Sequence, residues 1–182
     1  MKKLSIPILI VLALASIAGA KMKAFVDYDK NADFGSYKTF KWVETVATSV
    51  DDSSPSMHRL IRALIMKRLV EGGLKKVDEN PDLNVTYHTN EHDVLRMNTT
   101  QYRYHYSAGW WVSPYWGSGM DITSYTQGTL IIDIWDPKTE EIIWRGAVVG
   151  VVPEHPEQAE KQITKALNLL GKKWRKMYRA GK

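Results

Sequence analysis

The chain has 182 residues, of which 25 are basic and 20 acidic, carries a formal net charge of +5 and contains no cysteine. The missing thiol excludes disulfides, thiolate catalysis and lipidation through a cysteine, so the fold must rest on its core. Setting aside Lys2 and Lys3, which belong to the first segment, leaves +3, too weak a field for a nucleic-acid binder.

Met1-Lys2-Lys3 is a short positive start, and Leu4 to Ile17 is an apolar run broken by Ser5, Pro7 and Ser16. These are the n- and h-regions of a secretory signal peptide. Ala18 and Ala20 are the small residues a signal peptidase inspects, so cleavage is expected between Ala20 and Lys21. A membrane span needs about 20 apolar residues, and this shorter run holds a proline. The expected organisation is a signal peptide over 1–20 and a single α+β domain over 21–182. The product is expected to be periplasmic, soluble, unlipidated and without a transmembrane anchor.

Phe25 to Asp29 and Ser36 to Val43 read as strands around a turn through Lys30-Asn31-Ala32-Asp33, because Phe40 and Trp42 alternate with Thr39, Lys41 and Val43. Ser53-Ser54-Pro55 then opens a helix with a capping serine and a proline at the first helical position. Met57, Leu60, Ile61, Leu64, Ile65 and Leu69 form its apolar stripe, and Gly72-Gly73 ends it. Leu83 to His88 alternates as a strand, as does Gln101 to Tyr106, with tyrosines on one face and Arg103 and His105 on the other. Gly128 to Trp135 and Glu141 to Val149 make a hairpin across Asp136-Pro137-Lys138-Thr139. Pro153 and Pro156 lead into a last helix with Ala159, Ile163, Ala166, Leu167, Leu170, Trp174 and Tyr178 on one stripe. Glu157 and Glu160 open that helix while Lys172, Lys173, Arg175, Lys176 and Arg179 crowd its end, as the helix dipole favours. The predicted fold is α+β, a mainly antiparallel sheet of about five to six strands with two amphipathic helices packed on one face.

The candidate metal ligands are His88, His92 and His105, beside Asp93, on or near two strands expected to pair. A zinc site needs three or four converging ligands, and on one strand His88 and His92 would stand ~13 Å apart. Solvent-facing histidines on the polar side of a sheet explain the same residues. Asp133, Asp136, Glu140 and Glu141 flank the hairpin turn, where carboxylates serve solubility and turn formation. Gly117-Ser118-Gly119 lies inside a loop rather than after a core strand, as a nucleophile elbow requires. No catalytic residue and no cofactor is assigned.

Trp110, Trp111, Tyr115 and Trp116 crowd one glycine-rich loop. Such rings offer large contact area at low entropic cost, which suits a binding surface. They equally suit a mini-core folded over sheet surface that two helices leave open.

Val26-Asp27-Tyr28-Asp29 leading through Asp33-Phe34-Gly35-Ser36-Tyr37-Lys38-Thr39-Phe40-Lys41-Trp42, then Pro81-Asp82-Leu83-Asn84-Val85-Thr86-Tyr87-His88, then Gly128-Thr129-Leu130-Ile131-Ile132-Asp133 with Ile143-Trp144-Arg145-Gly146 form three ordered motifs. In these the chain resembles the bacterial domain-of-unknown-function 4136 family of envelope proteins. The resemblance implies an exported α+β domain, often lipid-anchored, with no established activity. Lacking a cysteine, this chain departs from the lipoprotein pattern.

The expected function is that of a non-enzymatic binding or structural module of the cell envelope. Its aromatic loop would contact an envelope protein, a glycan or a membrane surface. A metal-dependent or carboxylate-dependent periplasmic enzyme is the alternative.

Overall fold

The computed structural model describes residues 22–44, 54–90, 93–94, 105–107, 110–112, 123–124, 128–150 and 156–180. Ala18, Ala20, His92, Tyr115 and Trp116 lie outside the described residues. In chain order the elements are β1 (Lys23–Tyr28), β2 (Thr39–Trp42), α1 (Pro55–Glu71), β3 (Lys75–Lys76), β4 (Leu83–Asn90), β5 (Asp93–Val94), β6 (His105–Ser107), β7 (Trp110–Val112), β8 (Thr123–Ser124), β9 (Thr129–Trp135), β10 (Ile142–Val149) and α2 (Pro156–Ala180).

Six strands form one sheet in the order β1-β10-β9-β4-β2-β3. The pairs β1–β10, β10–β9 and β9–β4 are antiparallel, whereas β2 runs parallel to both β4 and β3. The sheet is therefore mainly antiparallel, as expected, with a parallel edge at β2. Helix α1 is the cause: it carries the chain from the end of β2 back to the level of its start, so the strands after it run in the same direction. Asp82 locks the crossover. Its Oδ2 accepts from the backbone N–H groups of Lys38 (2.9 Å) and Thr39 (2.8 Å) and from the Thr39 hydroxyl (2.8 Å), while Asp82 N–H donates back to Thr39 Oγ1.

Of the strand expected over Gln101 to Tyr106, the described part belongs to β6, which pairs with β7 in a ribbon outside the main sheet. β5 and β8 form a second small ribbon. The β9–β10 hairpin closes as its sequence dictates: Asp136 Oδ1 accepts from Lys138 N–H (2.7 Å), Asp136 O accepts from Glu140 N–H (2.8 Å), and Glu140 takes up φ +60°.

Helix α1 starts with Ser54 at the cap and Pro55 in the first turn, but the Ser54 side chain makes no capping bond. The Ser54 carbonyl accepts the first helical bond, from His58 N–H at 3.1 Å. At the other end Gly73 N–H donates to Val70 O and Leu74 N–H to Leu69 O, a Schellman closure. It turns on Gly73 at φ +98°, a conformation that disfavours any side chain.

Both helices pack on the same face of the sheet. Ile61 and Ile65 of α1 and Ala159, Ile163, Ala166, Leu167 and Leu170 of α2 join Phe40, Trp42, Val85, Tyr87, Leu130, Ile132 and Trp144 in one core. The opposite face is buried as well: Thr86, His88, Ile131, Asp133, Trp135, Arg145 and Ala147 are all withdrawn from solvent. Every residue of β9 is consequently buried, the mark of a central strand covered on both sides.

Candidate functional site

Three places collect side chains able to bind or react. The first is on the sheet face away from the helices, where β9 and β10 set Asp133 opposite Arg145 and β4 sets Thr86 on the other side of Asp133. Arg145 donates from Nε (2.5 Å) and a terminal nitrogen (2.8 Å) to the two oxygens of Asp133, the bidentate geometry that best matches guanidinium to carboxylate. His88 Nε2 lies 3.4 Å from Asp133 Oδ2. Asp133 and Arg145 are 0% and 1% exposed. Burial pushes the Asp133 carboxyl up, but the Arg145 charge, followed by the His88 and Arg145 hydrogen bonds, outweighs it and holds the group well below the usual carboxylate range.

Two expectations are corrected here. Asp133 is an interior anion rather than a solubilising carboxylate beside the turn, because β9 is a central strand. His88 likewise faces a buried ion pair and not solvent. Among the described residues, the strand bearing His105 pairs with β7 and not with β4, which carries His88. Among the described residues, no group of three or more His, Asp or Glu side chains is arranged to hold a metal ion.

The second place was not signalled by the sequence. His58, on the α1 stripe, meets the Tyr87 hydroxyl through Nδ1 at 2.8 Å and stands 3.6 Å from Glu44 through Nε2. Glu44 Oε1 also accepts from Arg62 (2.8 Å) and from the Trp42 indole N–H (3.0 Å), and the Arg62 guanidinium sits 5.6 Å from the centre of the Trp42 ring. Tyr87 is 0% exposed, so this chain of bonds ties α1 to the sheet instead of offering its hydroxyl to solvent. Only proximity in the fold reveals it, because Glu44, His58 and Tyr87 belong to three separate segments.

The third place is open. Between α1, α2 and the β1–β2 connection lies a cleft of about 760 Å³, within the range of small-molecule sites. Leu83, Ile132, Ile134 and Trp144 of the sheet line it, with Ile65 and Leu69 of α1 and Leu167, Leu170 and Trp174 of α2. Phe34 packs edge-on against Trp174, with ring centres 4.9 Å apart, and Trp174 meets Trp144 in the same way at 5.8 Å. Charged residues also line the cleft. Arg68 bridges the helices by donating to Asn168 of α2 (2.7 Å) while pairing with Glu71 (2.9 Å), and Lys38 and Arg175 are the other cations. Burial, and then the charges of Asp136, Asp29, Asp33 and Asp82, raise the Tyr37 pKa, so this lining residue stays a neutral phenol.

Of the aromatic contact residues expected from sequence, Trp110 and Trp111 form β7, where Trp111 is in register with Tyr106 and Trp110 with Ser107. The ribbon is separate from the sheet that carries the cleft.

Among the described residues, fold and site define an α+β domain with two helices on a six-stranded sheet, a buried Asp133–Arg145 pair and an apolar cleft between the helices. The chain matches the Domain of unknown function (DUF4136) family over residues 24–170, and it belongs to that family. Among solved structures it is similar to a PDZ domain protein from Parabacteroides distasonis, with 17% identity, a TM-score of 0.44, and coverage of 83% of this chain and 37% of that one. The chain thus spans 37% of the length of the Parabacteroides protein. It is also similar to PelC from Paraburkholderia phytofirmans, a dodecamer, with 11% identity, a TM-score of 0.42, and coverage of 82% and 97%. At these values neither likeness carries an argument about function. The curated proteins include no match.

Proposed function

We propose that the protein is an exported, non-enzymatic binding module of the cell envelope that takes a ligand in the cleft between its two helices. One observation carries this: among the described residues the buried ionisable groups Asp133, Arg145 and His88 are bonded to each other, whereas the cleft between the helices is lined mainly by aliphatic and aromatic side chains. Export to the periplasm rests on the signal-peptide pattern of residues 1–20. Among the described residues no helix is long and apolar enough to cross a membrane. The aromatic segment from Trp110 to Trp116 enters the same reading as a second contact surface, for a partner protein, a glycan or a membrane; its composition supports that role.

Photo-crosslinking side chains at positions 38 and 68, both exposed and lining the cleft, test this in intact envelopes, with position 165 on the exposed side of α2 as the control. Capture specific to 38 and 68, from protein whose N-terminus is Lys21, is the expected outcome. Equal labelling at all three positions, or an uncleaved chain retained in the cytosol, overturns it.

A further inference from the structure

We infer that the protein forms a symmetric dimer in which the outer edge of β1 pairs antiparallel with the β1 of a second copy. This surface lies apart from the cleft and stands independently of the binding-module reading. β1 ends the sheet: β10 lies on one side of it, and among the described residues no strand lies on the other. The opposite end of the sheet is guarded, because β3 has only two residues and both are lysines, Lys75 and Lys76. β1 has six residues and carries Phe25, 48% exposed. A long edge strand with an exposed ring is what monomeric sheet proteins avoid.

Pairing with β10 fixes which backbone groups face outward. Asp29 N–H donates to Ile143 O (2.9 Å) just beyond the Tyr28–Trp144 pair, so by alternation Asp27, Phe25 and Lys23 also turn their N–H and C=O groups towards β10. Ala24 and Val26 turn theirs to the open edge. The side chains of Ala24, Val26 and Tyr28 pack against the helix-side core, which puts Lys23, Phe25 and Asp27 on the other face. Tyr28 N–H donates to Asp27 Oδ1 at 2.9 Å and holds that carboxylate beside the edge.

Because only Ala24, Val26 and their even-numbered neighbours can exchange hydrogen bonds across this edge, two copies related by a twofold axis have few registers to choose from. Centring the pair on Val26 sets Phe25 against the second copy's Asp27, and centring it on Ala24 sets Phe25 against Lys23. Centring it on Phe25 sets ring against ring and, at both ends, Lys23 against Asp27. All of these then fall in the closer, non-hydrogen-bonded pairs, while Ala24 and Val26 exchange backbone bonds. The run Lys23-Ala24-Phe25-Val26-Asp27 is thus complementary to itself in charge and in apolar contact, which selects a second copy of this chain as the partner.

The chain has no cysteine, so single introduced thiols report the register. Position 25 faces its own counterpart at a Cα separation within disulfide range, whereas position 27 stands about 13 Å from its counterpart. Under mild oxidation of protein expressed as the full chain, Phe25→Cys is expected to form covalent dimer roughly tenfold or more faster than Lys165→Cys, on the exposed side of α2. Lys23→Cys and Asp27→Cys should each stay monomeric alone and crosslink to each other when mixed. Sedimentation of the wild-type protein should show a monomer–dimer equilibrium, which Lys23→Glu weakens roughly tenfold by setting like charges opposite each other at both ends. Mixing the Lys23→Glu protein with the Asp27→Lys protein should restore it. Phe25→Cys reacting no faster than Lys165→Cys, Asp27→Cys crosslinking to itself as fast as Phe25→Cys, or a wild-type monomer at every concentration overturns the proposal.

Discussion

Trp144 lies across Gly146: a Cβ at position 146 would overlap the indole ring and come within 2.9 Å of Leu170 Cδ2. The absence of a side chain there lets a large ring lie against its own strand with α2 packed above it. Gly146→Ala should destabilise the protein by about 1–3 kcal/mol through overpacking. Urea titration would show this as a lower midpoint at an unchanged m-value.

Asp133 and Arg145 are expected to behave as a unit. Arg145→Met alone strands a buried carboxylate and should lower stability by about 3–5 kcal/mol. Asp133→Asn/Arg145→Met should lose less than the sum of the two single changes. A double-mutant cycle with additive losses would mean that the pair contributes no coupling.

Acid sensitivity follows from two carboxylates. The Asp82 pKa is lowered by the Lys38 backbone N–H first and then by the Thr39 hydroxyl and N–H, and the Asp133 pKa is lowered despite its burial. Folded values below the unfolded ones mean that both groups stabilise the native chain fully above the ordinary carboxylate range near about pH 4. That stabilisation drains away as pH falls from there through the folded values. Asp82→Asn should flatten the decline in urea midpoint between about pH 5 and pH 3 while lowering stability at neutral pH. An unchanged slope would remove Asp82 from the account.

Tyr87→Phe deletes the hydroxyl that meets His58 across the α1–sheet contact. The expected loss is about 1 kcal/mol, with the midpoint of α1 unfolding, followed by amide exchange of Ile61 and Ile65, falling along with the global one.

The aromatic segment separates contact from core. Trp110→Ala/Trp111→Ala/Trp116→Ala should abolish partner capture from envelope extract and leave the melting temperature nearly unchanged. A large fall in melting temperature would assign these rings to the interior.

Much of the layer structure was legible because burial has a period. Ile61 and Ile65, and Ala159, Ile163, Ala166, Leu167 and Leu170, recur at helical spacing and all reach the core, and the Asp136-Pro137 turn announces the β9–β10 hairpin. His58 was missed on the same α1 face because its partner, Tyr87, is 29 residues away. His88 and Asp133 read as solvent-facing because a polar residue in an alternating strand usually marks the wet side. Here both sheet faces are covered, and the chemistry of a lone strand does not say so.

By itself, then, the sequence determined the α+β class, the two amphipathic helices, the central hairpin and the family, all of which depend on local periodicity and ordered motifs. Strand direction, register and the cleft were decided only in three dimensions. The clearest case is the irregularity between Ile142 and Trp144, where Ile142 faces Trp135 but Trp144, not Ile143, faces Ile134. That one extra residue moves Arg145 onto the face of Asp133 and leaves Trp144 to the helix side and the cleft. A two-residue alternation cannot show such a shift, because it is fixed by pairing with neighbouring strands and not by the strand's own side chains.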